Sequence, residues 1–147
     1  MNRRSPRPGD SGMTTLLDGR RVSKGSAEVE LSGNLDELNV ALGLARVAAR
    51  GKKKAILCLL QEDVEIVLSG KAGNSFFDEC ILKYEEIIKK TSNPSGFETP
   101  GRNIQNGLAH FARVAVRRIE RQVVRSGRDK HLLGWLNRMG RVVFSCC

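Results

Sequence analysis

The sequence predicts an all-α fold, a five-helix bundle of up-and-down topology with an irregular N-terminal loop. Three observations predict it. Apolar residues recur at helical spacing in five separate segments. Clusters of Gly, Pro, Asn and Ser break the chain between those segments. Alternating apolar and polar runs of the strand type are nearly absent. With 147 residues and 40% hydrophobic content, the chain can bury one core. We read 1–147 as a single domain, with residues 1–33 as the loop and 34–147 as the bundle.

Residues 1–33 carry Pro6, Pro8, Gly9, Gly12, Gly19, Gly25 and Gly33 among charged and hydroxyl residues. A structureless stretch of this length is either a tail or a functional loop. Asn34 reads as an N-cap, and Glu37 three residues on completes a capping box. Leu35, Leu38, Leu42, Ala45 and Ala49 then keep helical spacing, so helix one is expected from 34 to about 49. Helix two is expected at about 54–68, with Ile56, Leu60, Val64 and Val67 inward. Helix three follows at about 76–90, with Phe77, Ile81, Tyr84 and Ile88 inward. The Thr91–Gly96 stretch and Pro100-Gly101 make the longest internal break. Helix four is expected at about 103–125, stopped near Gly127, and helix five at about 130–145 with Leu132, Leu136, Met139 and Val143 on one stripe.

The charge balance narrows the partner. Twenty-five Lys and Arg against sixteen Asp and Glu give a net charge of +9, which points to an anion. Aromatic residues make up only 5%, thin for a protein that stacks single-stranded bases. Cys58, Cys80, Cys146 and Cys147 form no CxxC pair, and His110 and His131 show no metal-ligand spacing with them. No metal site is expected, and the cysteines suit a reduced chain. No apolar run approaches a membrane span, and MNRRSPRPGDSG has no secretory h-region. The expected location is cytoplasmic.

The most informative segment is Arg113-Val114-Ala115-Val116-Arg117-Arg118-Ile119-Glu120-Arg121. On a helix Arg113, Arg117 and Arg121 stack at i, i+4 and i+8, with Glu120 beside Arg117. Leu108, Ala112, Ala115, Ile119 and Val123 form the opposite, apolar stripe. Like charges at i+4 destabilise an isolated helix by about 0.2–0.5 kcal/mol per pair. A polyphosphate would offset this, because guanidinium forks match phosphate oxygens; a plainly solvated face is the alternative. Gly9-Asp10-Ser11-Gly12-Met13-Thr14-Thr15, with Arg7 before it, offers backbone N–H groups and hydroxyls of the kind that surround phosphates. Its spacing is not that of a Walker A loop.

Five motifs occur in one order: Gly9-Asp10-x-Gly12, Arg21-Val22-Ser23-Lys24, Leu35-Asp36-Glu37-Leu38-Asn39, Arg113-x-x-x-Arg117-Arg118-x-Glu120-Arg121 and Leu136-Asn137-Arg138. In this the chain resembles the ATP:cob(I)alamin adenosyltransferases of the trimeric five-helix-bundle type, from Arg7 to Phe144. Leu60-Gln61 fits the family's helix-two register.

The resemblance implies a homotrimer with ATP at subunit interfaces. The loop wrapping the triphosphate corresponds to Pro6, Arg7, Pro8, Gly9, Asp10 and Gly12 with Thr14 and Thr15. Lys24 matches a phosphate-binding lysine. Arg113, Arg117, Arg118, Glu120 and Arg121 match the ATP-contacting helix, and Asn137 an asparagine near the nucleotide. Asp36 matches an aspartate that pairs with an arginine across the interface, here Arg117. Phe97 falls where the family sets an aromatic against the corrin ring, displacing the lower axial ligand of cobalt; a loop staple is the alternative role. Arg117, Arg121, Phe97 and Asp36 are thereby implied as the residues on which the reaction depends. ATP and a corrinoid are the implied substrates, with Mg²⁺ held mainly through ATP phosphates. The resemblance extends to a flavoprotein reductant and a cobalamin-dependent acceptor enzyme as partner classes, with no nucleic acid and no membrane.

The chain departs from the family pattern in places. Pro6 and Pro8 replace threonines, Glu28 replaces an arginine, Thr99-Pro100-Gly101-Arg102 alters a Leu-Pro-Gly-Gly turn, and Gly140-Arg141 replaces a Ser-Asp pair. Two other functions stay open: an ATP-binding paralogue without transferase activity, and a basic helical module binding nucleic acid through Arg117, Arg118 and Arg121. The last leaves the Gly9–Thr15 loop, Asp36 and Asn137 without a role.

Overall fold

Ser26, rather than Asn34, starts the first helix: its hydroxyl accepts from the Val29 N–H at 3.3 Å. The computed structural model describes residues 7–91, 96–127 and 129–147. In it α1 spans Ala27–Ala48, α2 Gly51–Leu68, α3 Asn74–Lys90, α4 Ile104–Arg125 and α5 Lys130–Ser145. The expected start of α1 at Asn34 is therefore corrected. Ser26 supplies the N-cap, Glu28 and Glu30 lie in the first turn where the helix dipole favours carboxylates, and Leu31 continues the apolar face. Asn34 is mid-helix, and its Nδ2 donates to Gln122 Oε1 of α4 at 2.8 Å. The Asn-x-x-Glu pattern resembles a cap but works here as a tie between helices.

The N-terminal segment is also more ordered than its glycines suggest. β1 (Met13–Thr15) and β2 (Arg21–Ser23) pair antiparallel, with Thr14 opposite Val22. Three residues per strand are too few for period-2 alternation to be read from sequence. α2 begins three residues and α3 two residues earlier than expected. Asn103 and Asp129 cap α4 and α5, accepting from Asn106 N and His131 N, each at 2.8 Å.

The core follows the expected stripes. Leu35, Leu38, Leu42, Ala45, Ala49, Leu60, Val64, Ala112, Ala115, Ile119, Val123, Leu136, Met139 and Val143 are all buried. Helix α1 packs on α2 and α4, and α5 packs on α4 and α3. Trp135 is fully buried, and its Nε1–H donates to the Tyr84 hydroxyl at 3.2 Å. Tyr84 donates to buried Asp63 of α2 at 2.7 Å, and Lys83 Nζ reaches the same oxygen at 2.9 Å. Burial, then the Asp63 charge, holds the Tyr84 phenol well above its usual pKa of 10. All four cysteines are free thiols. Burial pushes Cys80 and Cys146 up to about 11 and Cys147 to about 12. Among the described residues no helix is long and apolar enough to cross a membrane, and no cluster of three His, Cys, Asp or Glu forms a metal site.

Candidate functional site

The helical period of α4 sets the site. Ala112, Ala115, Ile119 and Val123 are buried, which turns Arg113, Arg117, Arg121 and Arg125 together along another face. On α5 the i, i+4, i+8 series Leu133, Asn137 and Arg141 faces them. Between the two rows lies a trough of about 580 Å³ lined by Arg117, Glu120, Arg121, Val124, Arg125, Leu133 and Asn137. A smaller cavity of about 90 Å³ continues it past Arg113, Gly140, Arg141 and Phe144. Among the described residues, none of Arg113, Arg117, Arg121, Arg125 and Arg141 forms an ion pair. Glu120 is the one carboxylate of the trough. Burial raises its pKa, and the Arg117 and Arg121 charges pull against that shift. An anion entering the trough therefore meets guanidinium groups that no carboxylate among the described residues already occupies.

Arg118 leaves this group. One residue on from Arg117 it is turned by about 100°, and it pairs with Glu37 of α1. Arg138 likewise serves the bundle, its Nε donating to Glu85 Oε1 of α3 at 3.0 Å.

The N-terminal loop forms a second group. Gly9 and Gly12 have φ of +97° and +74°, values that glycine adopts without a Cβ penalty. Asp10 accepts from Arg7 N at 2.9 Å and so closes the loop's first turn. Lys24 N donates to Gly12 O at 2.8 Å. A Cβ on Gly9 would stand 3.0 Å from Lys24 Nζ, so the bare glycine makes room for the ammonium against the loop. Pro8 is exposed; Pro6 lies outside the described residues. Thr14, Thr15 and Asp36 line a cavity of about 410 Å³ between the hairpin and α1. That cavity shares no lining residue with the arginine trough. Apart from Arg118 and Phe97, the residues singled out in the sequence thus fall into two separate groups, and one chain does not join Asp36 to Arg117.

Phe97 is 95% exposed, so it does not staple its loop to α4. The loop is held one residue later. Fully buried Asn106 donates to Glu98 Oε1 at 3.1 Å and accepts from Gly101 N at 2.8 Å, while Arg102 pairs with Glu98 at 3.0 Å. His110, one turn further along α4, is buried with its Nε2 unpartnered among the described residues, and its ring meets Phe144 edge-on at 6.1 Å. Burial lowers its pKa below 6.5. Arg125 and Leu133 line the trough but were missed in the sequence, although they extend the i+4 rows of Arg121 and Asn137. Asn106 carried no such signal, reading as one more polar residue in a first turn.

The comparisons with known proteins converge. The family model for cobalamin adenosyltransferase matches residues 5–147. A corrinoid adenosyltransferase of Citrobacter freundii is 28% identical, over 95% of this chain and 89% of that protein. Corrinoid adenosyltransferase PduO of Salmonella typhimurium is 31% identical over 95% of this chain, which spans only 47% of that relative's length. A cobalamin adenosyltransferase of Cupriavidus metallidurans is 30% identical, over 94% of this chain and 82% of the relative. Among solved structures, a variant of the PduO-type ATP:corrinoid adenosyltransferase from Lactobacillus reuteri, complexed with cobalamin and ATP, superposes with a TM-score of 0.69 at 20% identity, covering 94% of this chain and 87% of that one. That likeness establishes the shared bundle, and the sequence match spans both the loop and the arginine helix. With nearly the whole chain inside one family model, the protein belongs to the cobalamin adenosyltransferase family.

Proposed function

We propose that this chain transfers the 5′-deoxyadenosyl group of ATP to the cobalt of a reduced corrinoid, with release of triphosphate. The observation that carries the reading is the row of guanidinium groups, without an ion pair among the described residues, facing Asn137 across the α4–α5 trough. Relatives with this architecture are corrinoid adenosyltransferases, and a Lactobacillus reuteri neighbour is complexed with cobalamin and ATP.

In the reaction the cobalt electron pair of the Co(I) corrinoid attacks C5′, the C5′–O bond breaks, and triphosphate leaves with that bond's electrons. The product is an alkylated Co(III). Charge develops on the leaving group, so the protein's task is electrostatic. Arg117 and Arg121 contact the phosphates, with Arg113 further along the row. Glu120 spaces the two guanidinium groups and keeps the trough from being uniformly cationic. Asn137 offers an amide to the nucleoside. Lys24, Arg7, Gly9, Asp10, Gly12, Thr14 and Thr15 close the loop over the triphosphate. Glu120 is the sole acidic residue in the trough, a donor set that suits a Mg²⁺ carried on phosphate oxygens. The ion would neutralise leaving-group charge when bound. Phe97, exposed on its anchored loop, is free to lie against the corrin and exclude the lower axial ligand of cobalt.

The separation of the two groups supports an assembly. Val40, Leu44 and Val47 form an exposed apolar stripe on α1, and Phe111 and Val114 add exposed apolar surface on α4. Exposed apolar side chains repeated along one helix face are the kind of surface that protein interfaces cover. We assign it to a homotrimer in which the loop and Asp36 of one subunit meet the arginine row of its neighbour, giving the Asp36–Arg117 pair. Four free thiols suit a reducing compartment, here taken as the cytoplasm.

The test is direct. Purified protein, ATP, Mg²⁺ and a chemically reduced corrinoid should yield a light-sensitive adenosylated product and free triphosphate. ATP binding without that product would favour the paralogue that lacks transfer activity.

A further inference from the structure

The trough does not end at the residues assigned to ATP. One turn of α4 nearer the Phe97 loop it runs into a cavity of about 90 Å³ that shares Arg117, Glu120 and Asn137 with the trough and adds Arg113, Gly140, Arg141 and Phe144. This space is large enough for several water molecules and so has room for a small polar group. Gly140 is not demanded by the helix packing, since a Cβ there would only touch Val116 at 3.5 Å. The Arg113 guanidinium is stacked 4.6 Å from the Phe144 ring centroid, which fixes its plane and leaves its N–H edge free. Arg141, at i+4 from Asn137, supplies a second guanidinium from α5. Neither pairs with a carboxylate among the described residues.

Charge counting argues for a second anion. The trough and cavity together present five guanidinium groups against Glu120 alone, more than a metal-bound triphosphate requires. Position argues for its source. Along α4 the order is Arg121, Arg117, Arg113, His110, Asn106, the last anchoring the loop that carries Phe97. Arg113 and Arg141 sit between the phosphate end and the corrin end.

We propose that Arg113 and Arg141 bind a peripheral carboxylate of the corrinoid acceptor, so that the enzyme favours corrinoids with free acid side chains over fully amidated ones. An amide accepts hydrogen bonds but cannot neutralise two guanidinium groups; a carboxylate does both. This rests on the adenosyl-transfer reading for the identity of the acceptor, and the test separates the two.

The test is equilibrium dialysis of two corrinoids, one fully amidated and one with free peripheral carboxylates, against wild-type protein and Arg141→Gln with ATP present, followed by turnover. Arg141 is exposed, and a far-UV spectrum checks that the variant is folded. The expected result is a roughly tenfold preference of the wild type for the acid corrinoid, abolished in Arg141→Gln with ATP affinity unchanged. No wild-type preference, or one that survives the substitution, overturns the proposal. So does a fall in affinity for ATP or inorganic triphosphate, which would give the cavity to phosphate. If the preference appears and is lost as expected but no adenosylated product forms, the carboxylate site stands and the transfer reading fails.

Discussion

The Tyr84 hydroxyl donates to Asp63 at 2.7 Å while accepting from the Trp135 indole at 3.2 Å, so one oxygen joins α2, α3 and α5. Removing it leaves a buried carboxylate short of one donor and a buried indole N–H without an acceptor. Tyr84→Phe should lower stability by about 1–3 kcal/mol, read from urea unfolding at neutral pH. A change within a few tenths would mean that water replaces the hydroxyl at no cost.

His110 gives the chain a pH signature. Burial lowers its folded pKa below the unfolded 6.5, so between those values the unfolded state binds more protons. Its contribution to stability is complete above about 6.5 and is lost as pH falls toward the depressed folded value. Melting temperatures of wild type and His110→Phe, compared across that window, should show a shallower acid loss in the variant. Parallel curves would show that other groups set the acid limb.

Arg121 lies on the exposed face of α4, opposite buried Ile119 and Val123. Arg121→Ala should keep helicity. Its kcat/KM for ATP should drop about ten- to a hundredfold, the equivalent of a charged hydrogen bond worth about 1.5–3 kcal/mol. Unchanged efficiency in a folded variant would remove Arg121 from the phosphate site.

Phe97→Ala should leave melting temperature and ATP affinity unchanged, since an exposed side chain has little packing to lose. It should abolish the four-coordinate cob(II)alamin spectrum and slow adenosylation. An intact spectrum together with normal rates would end the catalytic assignment.

Periodicity carried the bundle because Leu38, Leu60, Ile119 and Leu136 are buried by the spacing that defines a helix. It failed where local chemistry has two uses. Asn34 and Glu37 have cap spacing, yet Asn34 bonds Gln122 and Glu37 pairs with Arg118, both on α4. The arginine row was legible because i+4 spacing is local. The separation of Asp36 from that row was not, because it depends on how the hairpin and α1 pack together. The Asn106 anchor was hidden for the same reason: its partners, Glu98 and Gly101, lie outside its helix, in the preceding loop.

The loop and the arginine row line separate cavities of one chain. Two faults therefore need not add when they sit on different molecules. If the proposed trimer forms, chains inactivated at Lys24 and chains inactivated at Arg121, unfolded together and refolded as mixed assemblies, should recover activity that neither regains alone. In some sites an undamaged loop from one parent would meet an undamaged helix from the other. Measured against each parent refolded by itself, such rescue would make this enzyme's catalytic unit the contact between subunits, and its heredity that of a pair.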